Sequence, residues 1–347
     1  MKPVNLKRLA EELNLSVATV SRALNDRYDI SQATKDRVRE LASKLNYEPN
    51  PYASGLRRQK SKTIGVVVPE VANHFFSLAI NGIEAVARAN NYHVLIYLTH
   101  EDYERELAVT RLLANGRVEG VLVSVVNNGE DFSHLASLQE RGVPLVFFDR
   151  VHEKMTTASV TTNDYESSYQ ATRHLLDNGC RCIAHLTVSE RLSIGKRRMQ
   201  GYIDALKANG IAYDEELVVH TQSNKEQDTQ TIQALLLKRP DIDGFFASVE
   251  SLAMCSYEAC RNLGLTIPDD VKVIGFSNLD IASLLEPPLT TITQPAYAIG
   301  QEAAKILFKS IIKNMAATSA QNLELKSELI IRGSTGPTVK QVSAKMH

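Results

Sequence analysis

Ser16-Val17-Ala18-Thr19-Val20-Ser21-Arg22-Ala23-Leu24-Asn25 is a run of small hydroxyl and methyl side chains that carries one arginine. Those residue types suit one task together. Hydroxyls at Ser16, Thr19 and Ser21 can reach phosphate oxygens. The methyls of Val17 and Ala18 can touch thymine C5-methyls, and Arg22 can fork onto O6 and N7 of a guanine. Bulky residues would hold a helix away from the base edges, so the smallness of the first turn is informative. Val20, Ala23 and Leu24 form the opposite, inward stripe. The plain alternative is a surface helical hairpin without a partner. Charge placement weighs against it: residues 1–62 hold 13 Lys/Arg against 7 Asp/Glu, a charge of +6, and the remainder holds 26 against 33, a charge of −7. A basic head on an acidic body is expected to meet a polyanion.

A second set of candidates follows the ends of apolar, β-rich runs. These are Asn73-His74-Phe75-Phe76, Asp149-Arg150, Asn163-Asp164, Arg198, Val249-Glu250, Ser277-Asn278 and Gln294. In open α/β sheets, ligands bind outside the carboxyl ends of the strands. Aromatic rings can stack on sugar rings, Asp and Asn exchange hydrogen bonds with hydroxyls, and Arg forks onto paired oxygens.

The elements that must position these residues are legible in the pattern. Residues 5–45 predict three short helices. Asn5 caps the first, which repeats Leu6, Leu9, Ala10 and Leu13 at helical spacing. Asn14-Leu15 makes a tight turn. Ser16 caps a second helix ending near Asn25, and Ser31 caps a third with Val38, Leu41, Ala42 and Leu45 inside. Two short helices on a short turn predict a helix-turn-helix. Residues 46–62 hold two prolines and four basic residues, and Asn50-Pro51 is a helix-start signature. The helix it would begin is short and contains Gly55, so it should form only when supported. From Thr63, apolar runs (63–69, 93–99, 120–126, 144–149, 182–188, 244–249, 271–276) alternate with amphipathic stretches. That alternation predicts α/β architecture with buried parallel sheets. About 270 residues of it imply two similar lobes.

Several chemistries find no support. No G-x-G-x-x-G follows a strand, so no dinucleotide site is expected. Gly275-Phe276-Ser277-Asn278-Leu279 is not a nucleophile elbow. The nine His are scattered, and Cys180, Cys182, Cys255 and Cys260 lack metal spacing. They are expected to be reduced thiols. Neither a signal peptide nor a membrane span is expected. The reading is therefore a cytoplasmic, non-enzymatic chain without a cofactor or metal.

"LKRLAEELNLSVATVSRALN", followed by "ISQATKDRVRELASKLNYEPNPYASGLRRQKSKTIGVVVP", resembles the start of the LacI/GalR family of bacterial transcription regulators. "GVPLVFFDR", "HLLDNGCRCIAHL", "RRMQGYIDAL", "IPDDVKVIGFSN" and "PPLTTITQP" extend the resemblance over the whole chain. It implies an all-α helix-turn-helix headpiece (1–48), a hinge helix and linker (49–62), and a two-lobed core like periplasmic sugar-binding proteins (63–333). Lobe 1 is expected over about 63–161 and 292–322, and lobe 2 over about 162–291 and 323–333. A frayed tail (334–347) would follow. Carried over, Val17, Ala18 and Arg22 would read bases, with Asn5, Ser16, Thr19, Ser21 and Asn25 around them. Asn50, Tyr52 and Ala53 belong to the expected hinge helix, and Leu56 would wedge into the minor groove at a central CG step. Arg57, Arg58, Lys60 and Lys62 would hold phosphates. Arg198 matches the family's ligand-gripping arginine. The effector set is Asn73, His74, Phe75, Phe76, Asp149, Asn163, Arg198, Glu250, Ser277 and Gln294.

Two positions depart from the family pattern. Val249-Glu250 stands where Asn-Asp is usual, and Ser277-Asn278 where Asp-Asp is usual. The loss of a carboxylate turns the expectation toward an acidic effector, with Arg198 and Arg197 as counter-charges. An ordinary sugar pocket that has drifted is the alternative. The resulting expectation is a repressor, homodimeric on a pseudo-palindromic operator, controlled by a sugar-like effector. A transport-type solute-binding protein is the rival, which the headpiece disfavours.

Overall fold

A computed structural model describes residues 5–47, 61–126, 131–220, 224–313 and 322–336. The chain forms two compact units, Met1–Ser61 and Lys62–His347. The expected hinge residues Asn50, Tyr52, Ala53, Leu56 and Arg57 lie outside the described residues.

The first unit is three helices, α1 (Leu6–Leu13), α2 (Val17–Leu24) and α3 (Gln32–Lys44). Each begins where a short polar side chain can accept an otherwise unpartnered backbone N–H. Asn5 accepts from Arg8, Ser16 from Thr19, and Ser31 from Thr34. Asn14 ends α1 in the left-handed region at φ 52°, which Asn tolerates better than most residues. Leu9, Ala10, Val20, Ala23, Val38 and Ala42 form the core, ringed by Leu6, Leu13, Leu24, Ile30 and Leu41.

The second unit carries two six-stranded sheets. Its strands are β1 (Thr63–Val68), β2 (His93–Leu98), β3 (Val121–Val123), β4 (Leu145–Phe148), β5 (Ala158–Thr162), β6 (Ile183–Thr187), β7 (Val218–His220), β8 (Gly244–Ala247), β9 (Lys272–Phe276), β10 (Thr290–Thr293), β11 (Leu323–Leu325) and β12 (Glu328–Ile330). The first sheet has the order β11-β5-β4-β3-β1-β2 and is parallel throughout. The second has the order β12-β10-β9-β8-β6-β7. Its pairs are parallel except β12 with β10, which is antiparallel. The expectation of purely parallel sheets misses that strand, for a topological reason. Strands of both sheets end at the cleft between the lobes. After β11 the chain crosses there, so β12 enters the second sheet from the cleft end and runs the other way.

The connecting helices are α4 (His74–Ala89), α5 (Tyr103–Leu113), α6 (Ser133–Glu140), α7 (Asp164–Asp177), α8 (Ser193–Ala208), α9 (Lys225–Lys238), α10 (Glu250–Leu263) and α11 (Ala296–Lys313). α4 pairs closely with α11, and α7 with α8. Glycines permit the second approach: a Cβ added to Gly201 would come within 2.9 Å of the Tyr169 backbone nitrogen and meet the Tyr165 carbonyl.

Two expected boundaries are corrected. Leu323–Leu325 pairs with β5 and belongs to the first lobe, while Ile292 and Thr293 lie within β10 of the second. The expected tail starts too early. Ser334 and Thr335 are buried, with Ser334 Oγ donating to the Val273 carbonyl at 2.6 Å and accepting from Thr290 N–H at 2.8 Å. Small hydroxyls that fill β-sheet acceptors do not read as core in a sequence.

Candidate functional site

In the first unit, α2 buries Val20 and Ala23 and leaves Ser16, Val17, Ala18 and Arg22 exposed. The outward face is thus the small methyl and hydroxyl face that the sequence predicts. Val17 is 44% exposed, so its methyls stand on the outward face. Ser16 Oγ caps the helix and lies 2.8 Å from Thr19 Oγ1. Asn5 and Asn25 spend side-chain atoms on backbone, Asn25 Nδ2 donating to Ser21 O at 2.7 Å. Arg22 Nη1 donates to Asp29 Oδ2 at 2.8 Å, a partner that no sequence signal indicated.

In the second unit, a cavity of about 30 Å³ lies between the lobes at the carboxyl ends of the strands. Eight of the ten expected effector residues line it: Asn73, Phe75, Phe76, Asp149, Arg198, Glu250, Ser277 and Gln294. Arg150, Val249 and Asn278 line it too, as do Ile194 and Phe276, which the sequence reading did not place in the cleft. Asn163 does not. Its Oδ1 accepts from Ser327 N–H at 2.8 Å and Ser167 Oγ at 3.1 Å, so it ties down the last crossover. His74 stands behind the wall, with Nδ1 3.2 Å from Glu250 Oε1.

Arg198 is held in place from several sides. Its Nε and Nη2 lie 2.7 and 2.6 Å from Asp164 Oδ1, its Nη1 donates to the Ser248 carbonyl, and its guanidinium stacks 3.7 Å above the Phe276 ring. Both side chains of the ion pair are almost fully buried. Behind Phe276 an aromatic stack runs through Phe246 and His185 to Tyr202, and burial pushes the His185 imidazole down to about 3, so it stays neutral. Arg197, the other expected counter-charge, faces Glu324 at 3.6 Å and lines a different hollow. Neighbours on a helix point about 100° apart, so only one of the two can face the cavity.

Arg150 Nη1 donates to both carboxylate oxygens of Glu101, at 2.7 and 2.8 Å. Asp149 has longer contacts, 3.4 Å to Ser124 Oγ and 3.8 Å to Arg150 Nε. Burial pushes its carboxyl up to about 6, against the pull of Arg150 and Arg198. Glu250 answers the departure from the family pattern. Its Oε2 accepts from Ser277 Oγ at 3.0 Å and Asn278 N–H at 3.1 Å. A carboxylate from the start of α10 therefore stands against the strand end that lacks one.

Side chains also join the lobes across the cleft. Besides His74 and Glu250, Val151 N–H donates to Ser193 Oγ at 3.1 Å, and Lys196 faces Glu153 at 3.4 Å. Lys62, expected at a phosphate, has its ammonium 4.3 Å over the Tyr92 ring, and its N–H donates to Glu119 Oε1 at 2.6 Å. Among the described residues, no group of three His, Cys, Asp or Glu could hold a metal, and no helix is long and apolar enough to cross a membrane.

A capped helix-turn-helix unit and a two-lobed, ligand-cleft unit together define a bacterial DNA-binding regulator controlled by a small molecule. Residues 5–50 match the model for bacterial regulatory proteins of the lacI family, and residues 61–332 match that for periplasmic binding proteins and the sugar binding domain of the LacI family. The chain belongs to the LacI family. It is 30% identical over 331 residues to a ribose operon repressor of Halalkalibacterium halodurans, covering 95% of this chain and 96% of that one. It is 30% identical over 332 residues to the transcriptional repressor CytR of Escherichia coli, with the same coverage. The solved transcriptional regulator CelR–cellobiose complex superposes with a TM-score of 0.72 at 26% identity, covering 96% of this chain and all of that one. These relatives are transcriptional regulators, and this chain is a regulator rather than an enzyme.

Proposed function

We propose that the chain is a homodimeric repressor in the cytoplasm whose effector is a neutral, hydroxyl-rich molecule of the sugar class. The observation that carries the effector reading is the pairing of charge at the cavity wall. Arg198 is already neutralised by Asp164, and Arg150 by Glu101. Asp149 and Glu250 add acid on opposite sides. An anionic ligand would meet no unpaired cation there, and would bury its charge against carboxylates. This reading replaces the acidic effector expected from the sequence. Asp149 and Glu250 as acceptors, and Phe75 and Phe76 as ring surfaces, suit hydroxyls. The relatives named for ribose and cellobiose support the same class.

Dimerisation is supported by β2, an edge strand with Leu95 and Ile96 exposed at 38% and 45%, which a second copy could cover. Two copies of α2 would then meet two half-sites of a pseudo-palindrome, with a central CG for the hinge segment. Calorimetry on the purified chain tests the effector with aldose, alditol and uronate forms of each sugar. Binding confined to neutral forms is expected, and binding confined to uronates restores the acidic reading. Sequencing of genomic DNA retained by the same protein should return a pseudo-palindrome.

A further inference from the structure

Arg22 is held by an acid that neither stability nor DNA affinity explains. Asp29 is seven residues further on, in the turn between α2 and α3, so the pair is not the routine product of helical spacing. The turn that presents it is built at both ends. Asp26, at φ 53°, faces Lys35 at 3.1 Å and Arg39 at 2.9 Å on α3. Arg27 N–H donates to Arg22 O at 3.1 Å, and Ile30 packs into the three-helix core. Arg22 and Asp29 are 50% and 39% exposed at their side chains, and an ion pair so wet contributes little to stability. A carboxylate on a face that meets DNA also repels phosphate.

What the pair does supply is geometry. A free arginine samples many rotamers, whereas bidentate recognition of a base needs the planar fork at one angle. With Nη1 on Asp29 and Nε 3.4 Å from the Ala18 carbonyl, the guanidinium plane is set from two sides. Both Nη2 hydrogens and one Nη1 hydrogen remain for a base edge. We propose that Asp29 is a specificity-determining residue. It positions Arg22 for one base and, by its own charge, weakens binding to DNA of any other sequence. The inference rests on the reading of Arg22 as a base-contacting residue.

The test is selection from a pool of random duplex DNA with the full-length chain and its R22A, D29N and D29E variants, each checked by circular dichroism. R22A identifies the half-site position that Arg22 reads. D29N is expected to keep the rest of the motif while preference at that position falls about fivefold or more. Retention of a random-sequence duplex should rise about threefold. A fold defect would lower both together, so opposite movements separate positioning from structure. D29E should stay near wild type. If D29N lowers the helical signal, D29S provides the same uncharged comparison. Preference within twofold of wild type in the uncharged variant, or a sharper one, overturns the proposal. No motif from wild type, or no position altered by R22A, overturns instead the reading on which it rests, and the proposal falls with it.

Discussion

Asp149 occupies a left-handed backbone position at φ 60°, is 6% exposed, and has no short partner for its carboxylate. Backbone strain and a buried, weakly satisfied acid together are features of binding sites rather than of stable cores. Its folded-state value, up at about 6 from an ordinary 3.8, makes the folded chain bind more protons than the unfolded one between those pH values. Stability from this group is therefore full below about pH 4, falls as pH rises to about 6, and stays lower above, by up to about 3 kcal/mol. D149N keeps the shape, and Asn tolerates the left-handed region. Thermal melts should show D149N gaining on wild type from pH 4 to 6.5 and holding that lead at pH 8, while its sugar binding weakens. A lead that is constant with pH would mean that Asp149 is not a buried, destabilising charge. Asp149 just after β4 and Glu250 at the start of α10 were visible as element ends in the sequence, and Arg198 as a helical residue. Their partners were not, because Asp164 reaches Arg198, and Ser277 and Asn278 reach Glu250, from other elements.

At the scale of elements, the three helices of the first unit follow from local signals. Asn5, Ser16 and Ser31 cap where their spacing places them, since an N-cap needs only the chain two or three residues on. The α7–α8 pair needs more than local signals. Gly201 reads as an ordinary helical glycine, yet it is where the two helices touch and where Arg198, one turn earlier on the same helix, is set against Asp164. G201A should force the pair apart at a backbone contact. A loss of about 1–3 kcal/mol is expected in urea denaturation, with effector affinity falling as well because Arg198 is displaced with the helix. An unchanged urea midpoint would show that α8 can shift without cost.

At the scale of the whole molecule, the two units have separate cores. Leu9, Val20 and Val38 serve the first, and independent clusters on the sheet faces serve the second. Lys62 is anchored on Glu119 and Tyr92 at the very start of the second unit, and its carbonyl accepts from His93 N–H at 2.8 Å. A chain beginning at Lys62 should therefore keep the core's melting transition and its sugar affinity within about twofold while losing all retention of DNA. Calorimetry and DNA filter binding check both. Loss of the transition would show that the core depends on the preceding residues.

The sequence by itself determined the caps, the inward and outward faces of α2, the alternation of strands and helices, and which strand ends supply a cleft. These depend on neighbours a few residues away or on a hydrophobic period, which the linear order contains. Only the tertiary structure decided that β12 runs backward, that Ser334 is core, that Arg197 turns away, and that Arg198 and Arg150 arrive already neutralised. It also decided that Glu250 reaches Ser277 and that Asp29 holds Arg22. Each of these depends on which distant element comes within about 3 Å of a charged or polar atom. At that range the sign and satisfaction of a site are set by partners that no local pattern encodes.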